Sequence, residues 1–237
     1  MGMYDDLGLN DTLPKRGITF KGFCITLFKL IILFLILLIF LKGFVNTGEV
    51  ISEDVVDLSN ISAPIQYDTS GSTKTKIKDG IADITYIAEY SISGRVIDVE
   101  KYSWYSVQDE LSPMDVGIAW GFLATDEVQS KLQWTSLGNR YLSWYTSDVS
   151  WINGYGGKEK FKEHWSNNHL IPSDSKVKKL IRRIKKDDYV KITGYLVNIN
   201  WKNDSGKYFY WNTSTSRADS GNGACEVIYV TDVKWLK

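Results

Sequence analysis

Two side chains in this sequence have the reactivity needed for covalent catalysis: the thiol of Cys225 and the imidazole of His169. A thiolate beside an imidazole is a nucleophile for acyl transfer or peptide cleavage. Both residues fall in polar segments rich in glycine and asparagine, where loops are expected. The alternative is structural: the Val-Ile-Tyr-Val that follows Cys225 is typical of a strand, so the thiol would be a small buried residue at its start.

A second group of residues could bind a ligand without catalysing a reaction. Tryptophan side chains at strand ends or in loops can stack on sugars or peptides, and an arginine can bind a carboxylate. The alternative is packing within the fold and a salt bridge that closes a loop. The candidate ligand-binding residues are Trp144, Trp151, Trp165, Arg217 and Asp219.

A third candidate is a basic helix predicted from about residue 175 to 186. Its positive side chains could contact an anionic surface such as lipid head groups or an envelope polymer. The alternative is a solvated helix face, because Val177, Leu180, Ile181 and Ile184 recur at the spacing of a buried stripe. The predicted contact residues are Lys178, Lys179, Arg182, Arg183 and Lys186.

Composition narrows the function further. The 237 residues carry 28 basic and 28 acidic side chains, and a net charge of zero disfavours nucleic acid as a partner. The chain has two histidines and two cysteines, without the spacing of a zinc or calcium site. We therefore predict no metal and no cofactor.

The position of these residues in the cell depends on an apolar run from Leu30 to Leu41. Together with its flanks it is long enough to cross a bilayer, and residues 22–45 are predicted to form a transmembrane helix. Lys15, Arg16 and Lys21 precede the run, whereas acidic residues follow Lys42, so residues 1–21 should be a cytoplasmic tail. The rest of the chain would lie outside the cytoplasmic membrane. The alternative, a cleaved signal peptide, lacks a cleavage site of small residues.

Residues 46–80 are predicted to be a flexible spacer, and residues 81–237 a single β-rich domain. Alternating or apolar patterns predict strands at 86–102, 116–123, 141–145, 189–201, 207–211 and 226–235. The stretch 154–172 is predicted to be irregular. Glycines within two of the strands, Gly94 and Gly194, suggest bulges or bends.

This order of elements predicts the fold class. Three strands, one amphipathic helix and two strands with an extra hairpin arm match an OB-like five-stranded barrel. The full prediction is a single N-terminal transmembrane helix followed by a mainly-β (α+β) domain of this type. An α+β sheet with one covering helix is the alternative.

Three segments, Ser166–Pro172, Gly194–Val197 and Arg217–Val230, resemble uncharacterised bacterial membrane-anchored proteins with an exported OB-like domain. The resemblance covers roughly residues 85–235 and implies a location in the bacterial cell envelope, but no activity and no site residues. Taken with the residues above, it predicts a non-enzymatic binding or interaction module whose partner is an envelope protein or a cell-wall component. A cysteine hydrolase or transferase using Cys225 and His169 is the first alternative. An OB domain facing the cytoplasm and binding nucleic acid is the second.

Overall fold

The structure, a computed structural model, describes residues 28–29, 31–34, 53–54, 57–103, 105–136, 138, 140–219, 221 and 223–237. The chain divides into two units, Met1–Val50 and Ile51–Lys237. In the first unit the described residues are helical and their side chains are exposed. Most of the predicted span 22–45 lies outside the described residues, and within them no helix has the length and apolarity needed to cross a membrane.

The second unit is built mainly of β structure. Its strands in chain order are β1 (Glu53–Asp54), β2 (Ile65–Asp68), β3 (Ser72–Ile77), β4 (Gly80–Lys101), β5 (Met114–Ala119), β6 (Gln133–Ser136), β7 (Leu142–Tyr145), β8 (Trp165–Pro172), β9 (Tyr189–Asn203), β10 (Tyr208–Trp211) and β11 (Glu226–Leu236).

The helices of this unit are short. They are α1 (Val107–Leu111), α2 (Asp126–Gln129), α3 (Gly157–Lys162) and α4 (Ser175–Ile181), with 3-10 turns at Leu58–Asn60, Gly121–Ala124 and Ser150–Tyr155. The predicted amphipathic helix is α4, and Asp174 caps it by accepting a hydrogen bond from the Val177 N–H at 2.8 Å. It ends at Ile181, earlier than predicted, although Ile184 beyond it is still buried.

Five strands close into a ring in the order β4-β5-β8-β11-β9, with β9 pairing again with β4. All neighbours are antiparallel except β8 and β11, which run parallel. The ring encloses an apolar core that includes Ile92, Val116 and Ile228, and α4 packs its buried side chains against the same core. A mainly-β domain with a closed sheet of five strands and few helices is thereby confirmed.

Two strands extend beyond the ring. The first half of β4 and the second half of β9 remain paired outside it, and β3 and β10 add to their free sides. Residues of this four-stranded arm, with Val107 and Leu111 of α1, form a second apolar cluster. Part of the predicted spacer 46–80 therefore belongs to the fold, because β1, β2 and β3 pair with β11 or β4.

The third strand of the ring differs from the prediction. It is β8, within the stretch 154–172 predicted to be irregular, whereas the predicted strand at 141–145 is β7, which pairs with β6 outside the ring. Residues 120–164 form an insertion between β5 and β8 and pack around a third apolar cluster that includes Trp134, Ile152 and Phe161. The sequence of β8 does not alternate, because its outer face packs against the insertion and is buried like its inner face.

Glycine allows close approach of strands at both predicted positions, and Gly194 also lies beside a bulge in β11, where the register with β9 shifts between Val230 and Asp232. The register of β4 shifts between Tyr86 and Ala88 and between Val96 and Asp98, not at Gly94. A Cβ at Gly94 would collide with the carbonyl oxygen of Ala119, and one at Gly194 with that of Tyr229.

We expect Gly194→Ala to lower the free energy of unfolding by at least about 2 kcal/mol, because the added methyl group would overlap the backbone of β11. The matched control is Gly154→Ala, where an added Cβ has nothing within 4 Å and the change should stay within about 0.5 kcal/mol. Urea denaturation of the full chain measures both. Equal effects of the two substitutions would contradict the close approach of β9 and β11.

Candidate functional site

A cavity of about 630 Å³, here called the central cleft, opens beside the ring. One wall is the connection from β4 to β5, which contains α1, and the other is the connection from β10 to β11. The insertion contributes a third side. The residues that line the cleft are Tyr102, Ser106, Gln108, Asp109, Arg140, Tyr141, His169, Tyr210, Trp211, Asn212, Gly223 and Cys225.

The floor of the central cleft begins with a cross-strand pair on the outer face of the ring. Asp115 of β5 and His169 of β8 are register partners, so their side chains lie on the same face. Each is 3% exposed, and His169 Nδ1 lies 2.9 Å from Asp115 Oδ1 without the alignment of a hydrogen bond. The imidazole also packs on Trp211, with ring centroids 4.7 Å apart. His169 is thus held in a central strand, not in the loop that the sequence predicted.

The guanidinium of Arg140, from the insertion, pairs with the carboxylates at this floor. It donates to Asp115 Oδ1 at 2.8 Å and to Asp109 Oδ1 at 2.9 Å, and also to the Ser112 carbonyl at 3.0 Å. The guanidinium carbon lies 4.0 Å from the ring centroid of Tyr102 and 5.1 Å from that of Trp211. A buried guanidinium with carboxylate and aromatic partners is a stable arrangement, because each charge has a partner.

The backbone of Arg140 is adapted to this placement. Its φ is +66°, in the left-handed region that residues with a side chain rarely adopt. The Asn167 side-chain amide of β8 donates to the Arg140 carbonyl at 2.9 Å and fixes the turn on the outer face of the ring. Strain of this kind persists where surrounding contacts enforce it, often at functional sites.

The ionisation of neighbouring groups reflects the same network. Burial, and then the Asp115 carboxylate, raise the pKa of Tyr102, so its phenol stays protonated. Partial burial acts to raise the pKa of Asp109, but hydrogen bonds from Ser106 and Arg140 outweigh it and lower that pKa. Asp109 therefore stays ionised and paired with Arg140 at neutral pH.

Cys225 lies just before β11, at the edge of the central cleft. Burial raises the pKa of its thiol to about 12, and the neighbouring Glu226 carboxylate adds to the shift. The Asn167 amide, 3.7 Å from Sγ, acts in the opposite sense. The hydrogen bond at Sγ comes from Asn167 and not from His169, so the pair predicted from the sequence shares a cavity but does not form an activated nucleophile.

A smaller cavity of about 240 Å³, here called the side pocket, adjoins the central cleft at Tyr141 and Cys225. Four of the predicted ligand-binding residues line it: Trp144, Trp165, Arg217 and Asp219. The fifth, Trp151, packs against Phe161 and Tyr155 in the insertion and is not among the lining residues. The structure therefore brings together four of the five.

The base of the side pocket is a buried ion pair. Arg217 bonds to Glu226, which points away from the outer face, and Arg217 also donates to the Tyr90 hydroxyl at 3.3 Å. Burial raises the pKa of Glu226 to about 7, although Arg217 acts to lower it. Asp219 does not pair with Arg217 but accepts from the Ser214 hydroxyl at 2.6 Å. These contacts fasten the connection between β10 and β11 to the ring.

The predicted basic surface lies apart from both cavities, since none of its residues lines either one. Lys178 and Lys179 belong to α4, whereas Arg182, Arg183 and Lys186 follow it. Lys178 is half-buried and the others are exposed, and the Arg183 guanidinium lies 5.7 Å from the Trp235 ring centroid. Within the described residues, no cluster of three or more His, Cys, Asp or Glu side chains is placed to hold a metal ion.

Comparison with protein families, with curated proteins and with solved structures finds no match to this chain. The role of the site therefore depends on its own geometry. The resemblance of segments such as Ser166–Pro172 to envelope proteins stays a prediction. Sequence reasoning missed the residues that build the floor of the cleft, namely Tyr102, Asp109, Asp115, Arg140 and Trp211. The one available signal was Asp115, a carboxylate inside the apolar run Met-Asp-Val-Gly-Ile-Ala, which must find a partner when buried.

We expect Cys225 to react with a maleimide at pH 7.5 at least about 100-fold more slowly in the folded chain than in concentrated urea, because its raised pKa leaves almost no thiolate. The measurement is the labelling rate by mass spectrometry in a Cys24→Ser background, which removes the other thiol. Equal rates in the two conditions would contradict the raised pKa and restore the hydrolase hypothesis.

Proposed function

We propose that this chain is a membrane-anchored, non-enzymatic binding module, whose ligand occupies the central cleft. The observation that carries the proposal is the floor of that cleft, where Arg140 is fixed between Asp109 and Asp115 and between two aromatic rings. The Arg140 guanidinium is paired with both carboxylates before any ligand arrives. A rigid floor with an uncharged aromatic and polar rim is suited to binding, because little order has to be created on association.

We further propose that the ring of five strands is an OB-like barrel. Support comes from the strand order, from the single parallel pair β8–β11 and from α4 between the third and fourth strands of the ring. OB folds bind ligands on their second and third strands, between the loop after strand one and the loop before strand five. The corresponding parts here are β5, β8 and the two walls of the central cleft, with β10 in the second wall.

The chemistry of the cleft supports binding over the alternatives. Hydrolysis through Cys225 would need a thiolate, which a pKa of about 12 disfavours. Binding of nucleic acid would need several unpaired cations along the cleft. Among the described residues that line the cleft, one is an arginine or a lysine. This residue, Arg140, is already paired with two carboxylates.

The anchor and its orientation complete the proposal. The apolar run Leu30–Leu41 and the basic residues before it favour a span at residues 22–45 with the N-terminus in the cytoplasm. The domain would then lie outside the cytoplasmic membrane, and its partner would be an envelope protein or a cell-wall component.

This orientation predicts that a cysteine in the cleft wall is reached from outside the cell. Tyr105 is 88% exposed, so Tyr105→Cys in a Cys24→Ser background should be labelled by an impermeant maleimide on intact bacterial spheroplasts. Cys225 serves as the internal control, since it should stay unlabelled until the chain is unfolded. Labelling that requires lysis of the spheroplasts would place the domain inside and contradict the proposed location.

Binding itself is tested by photo-crosslinking in living bacteria. A benzoylphenylalanine in place of Tyr210, which lines the central cleft, should give a crosslinked adduct, because a bound partner contacts that side chain. The control is the same replacement at Tyr145, which is 62% exposed against 61% for Tyr210 and lines neither cavity.

An adduct at position 210 alone, identified by mass spectrometry as protein or glycan, is the expected result. Equal adducts at the two positions, or none at either, would count against a ligand in the cleft.

A further inference from the structure

The strand β10 is an open edge. Its sequence is Tyr-Phe-Tyr-Trp, and among the described residues it pairs with β9 alone. Natural edge strands are usually protected by lysine, proline, a bulge or a covering element. None of these residue types occurs within β10, and its register with β9 is continuous. The side of β10 that faces away from β9 therefore presents backbone N–H and C=O groups that can pair with a further strand.

The register identifies these groups. The Asn203 N–H donates to the Lys207 carbonyl, which makes 203 and 207 a hydrogen-bonded pair of the antiparallel ladder. Such pairs alternate along the strands, so Phe209 and Trp211 bond to β9. The N–H and C=O groups of Tyr208 and Tyr210 must then point to the open side.

β10 also borders a groove on the face of the arm against which α1 packs. A cavity of about 630 Å³, here called the outer cavity, lies between Tyr208 and Phe209 on one side and Tyr105 and Val107 on the other. It shares Ser106 and Gln108 with the central cleft, which continues along Tyr210 and Trp211. The two cavities thus follow β10 over its full length, about 13 Å at the rise of a strand, with the start of α1 as the opposite wall.

We propose that this groove binds an extended polypeptide segment of a partner protein, which pairs with β10 as an additional strand. The proposal rests on the proposed function and names its ligand class. Peptide groups recur with the spacing that the outward groups of Tyr208 and Tyr210 require, whereas sugar hydroxyls do not. A second copy of the chain fits poorly, because two four-residue edges, each about 13 Å long, offer little surface against the roughly 1,200–2,000 Å² that a stable dimer buries.

The groove would recognise the bound segment through its backbone and through its side chains. The backbone of the segment pairs with Tyr208 and Tyr210, which gives affinity for many sequences. Alternate side chains of the segment then face the aromatic rim of the central cleft and the floor at Arg140, which gives preference among sequences. The partner is thus defined by its extended conformation and by side chains spaced two residues apart.

The test selects peptides from a random heptapeptide library on the full chain in detergent micelles. Tyr210→Pro removes the outward N–H without breaking the ladder to β9, since proline is tolerated on the open side of an edge strand. The matched control is Tyr210→Ala, which removes the same side chain but keeps the N–H. We expect the proline variant to bind a selected peptide at least tenfold more weakly than the alanine variant, with both variants unfolding at similar temperatures.

A second measurement uses the unchanged protein, so that it holds even if Tyr210→Pro does not fold. N-methylation of the selected peptide at successive residues should abolish binding at alternate positions only, because half of the N–H groups of a strand face β10. Equal effects at all positions, no difference between the two Tyr210 variants, or no selected peptide would each overturn the proposal. So would a dimer of the chain that Tyr210→Pro dissociates, since a second copy would then occupy the edge.

The two proposals fail separately. An adduct of Tyr210 with glycan, together with no peptide binding, would leave the binding module standing and remove the peptide ligand. No adduct and no peptide binding would remove both.

Discussion

The buried carboxylate of Asp115 is the constraint on which the candidate site depends. It lies on the outer face of β5, 3% exposed, and a charge in that position is costly unless it is paired. Its partners come from three separate parts of the chain: Arg140 from the insertion, His169 from β8 and Ser112 from the turn after α1. One carboxylate thereby joins the ring, the insertion and a wall of the central cleft. Loss of Arg140 would leave the carboxylates of Asp115 and Asp109 without their cation.

This network is the physical basis for the proposal that the central cleft binds a ligand. Asp115 and Asp109 are both engaged by Arg140, and the His169 imidazole lies between Asp115 and Trp211. The one nucleophile at the rim, Cys225, has burial and the Glu226 carboxylate acting against its ionisation. A catalytic site separates the pKa values of its groups so that one donates and another accepts a proton. Here hydrogen bonds lower the pKa of Asp109, whereas burial raises the pKa of Tyr102 and of Cys225, so at neutral pH Asp109 stays ionised and the phenol and the thiol stay protonated.

Local patterns in the sequence predicted the elements whose residues alternate or form a buried stripe. The order of β4, β5, α4, β9, β10 and β11 and the closed mainly-β sheet follow from such patterns. The strand β8 did not, because its outer face is covered by other parts of the chain: Asn167 and His169 are buried and Trp165 is partly buried, where alternation would place exposed residues. The site was missed for a related reason: Arg140 and Asp115 are 25 positions apart in the chain, with α2 and β6 between them, and no local period in the sequence records a contact over that distance. The predicted span at residues 22–45 stays a prediction.

Closure of the ring and the open edge of β10 are two consequences of the same long strands. Five strands suffice to pair every edge in the ring, but β4 and β9 are too long for it, and their excess length forms the arm with β3 and β10. An arm that ends in Tyr-Phe-Tyr-Trp would ordinarily invite sheet-to-sheet association. The edge is four residues long, which limits such association, since a stable dimer buries about 1,200–2,000 Å² of surface. Under the proposed function, this unprotected edge beside the central cleft is where an extended segment of a partner pairs.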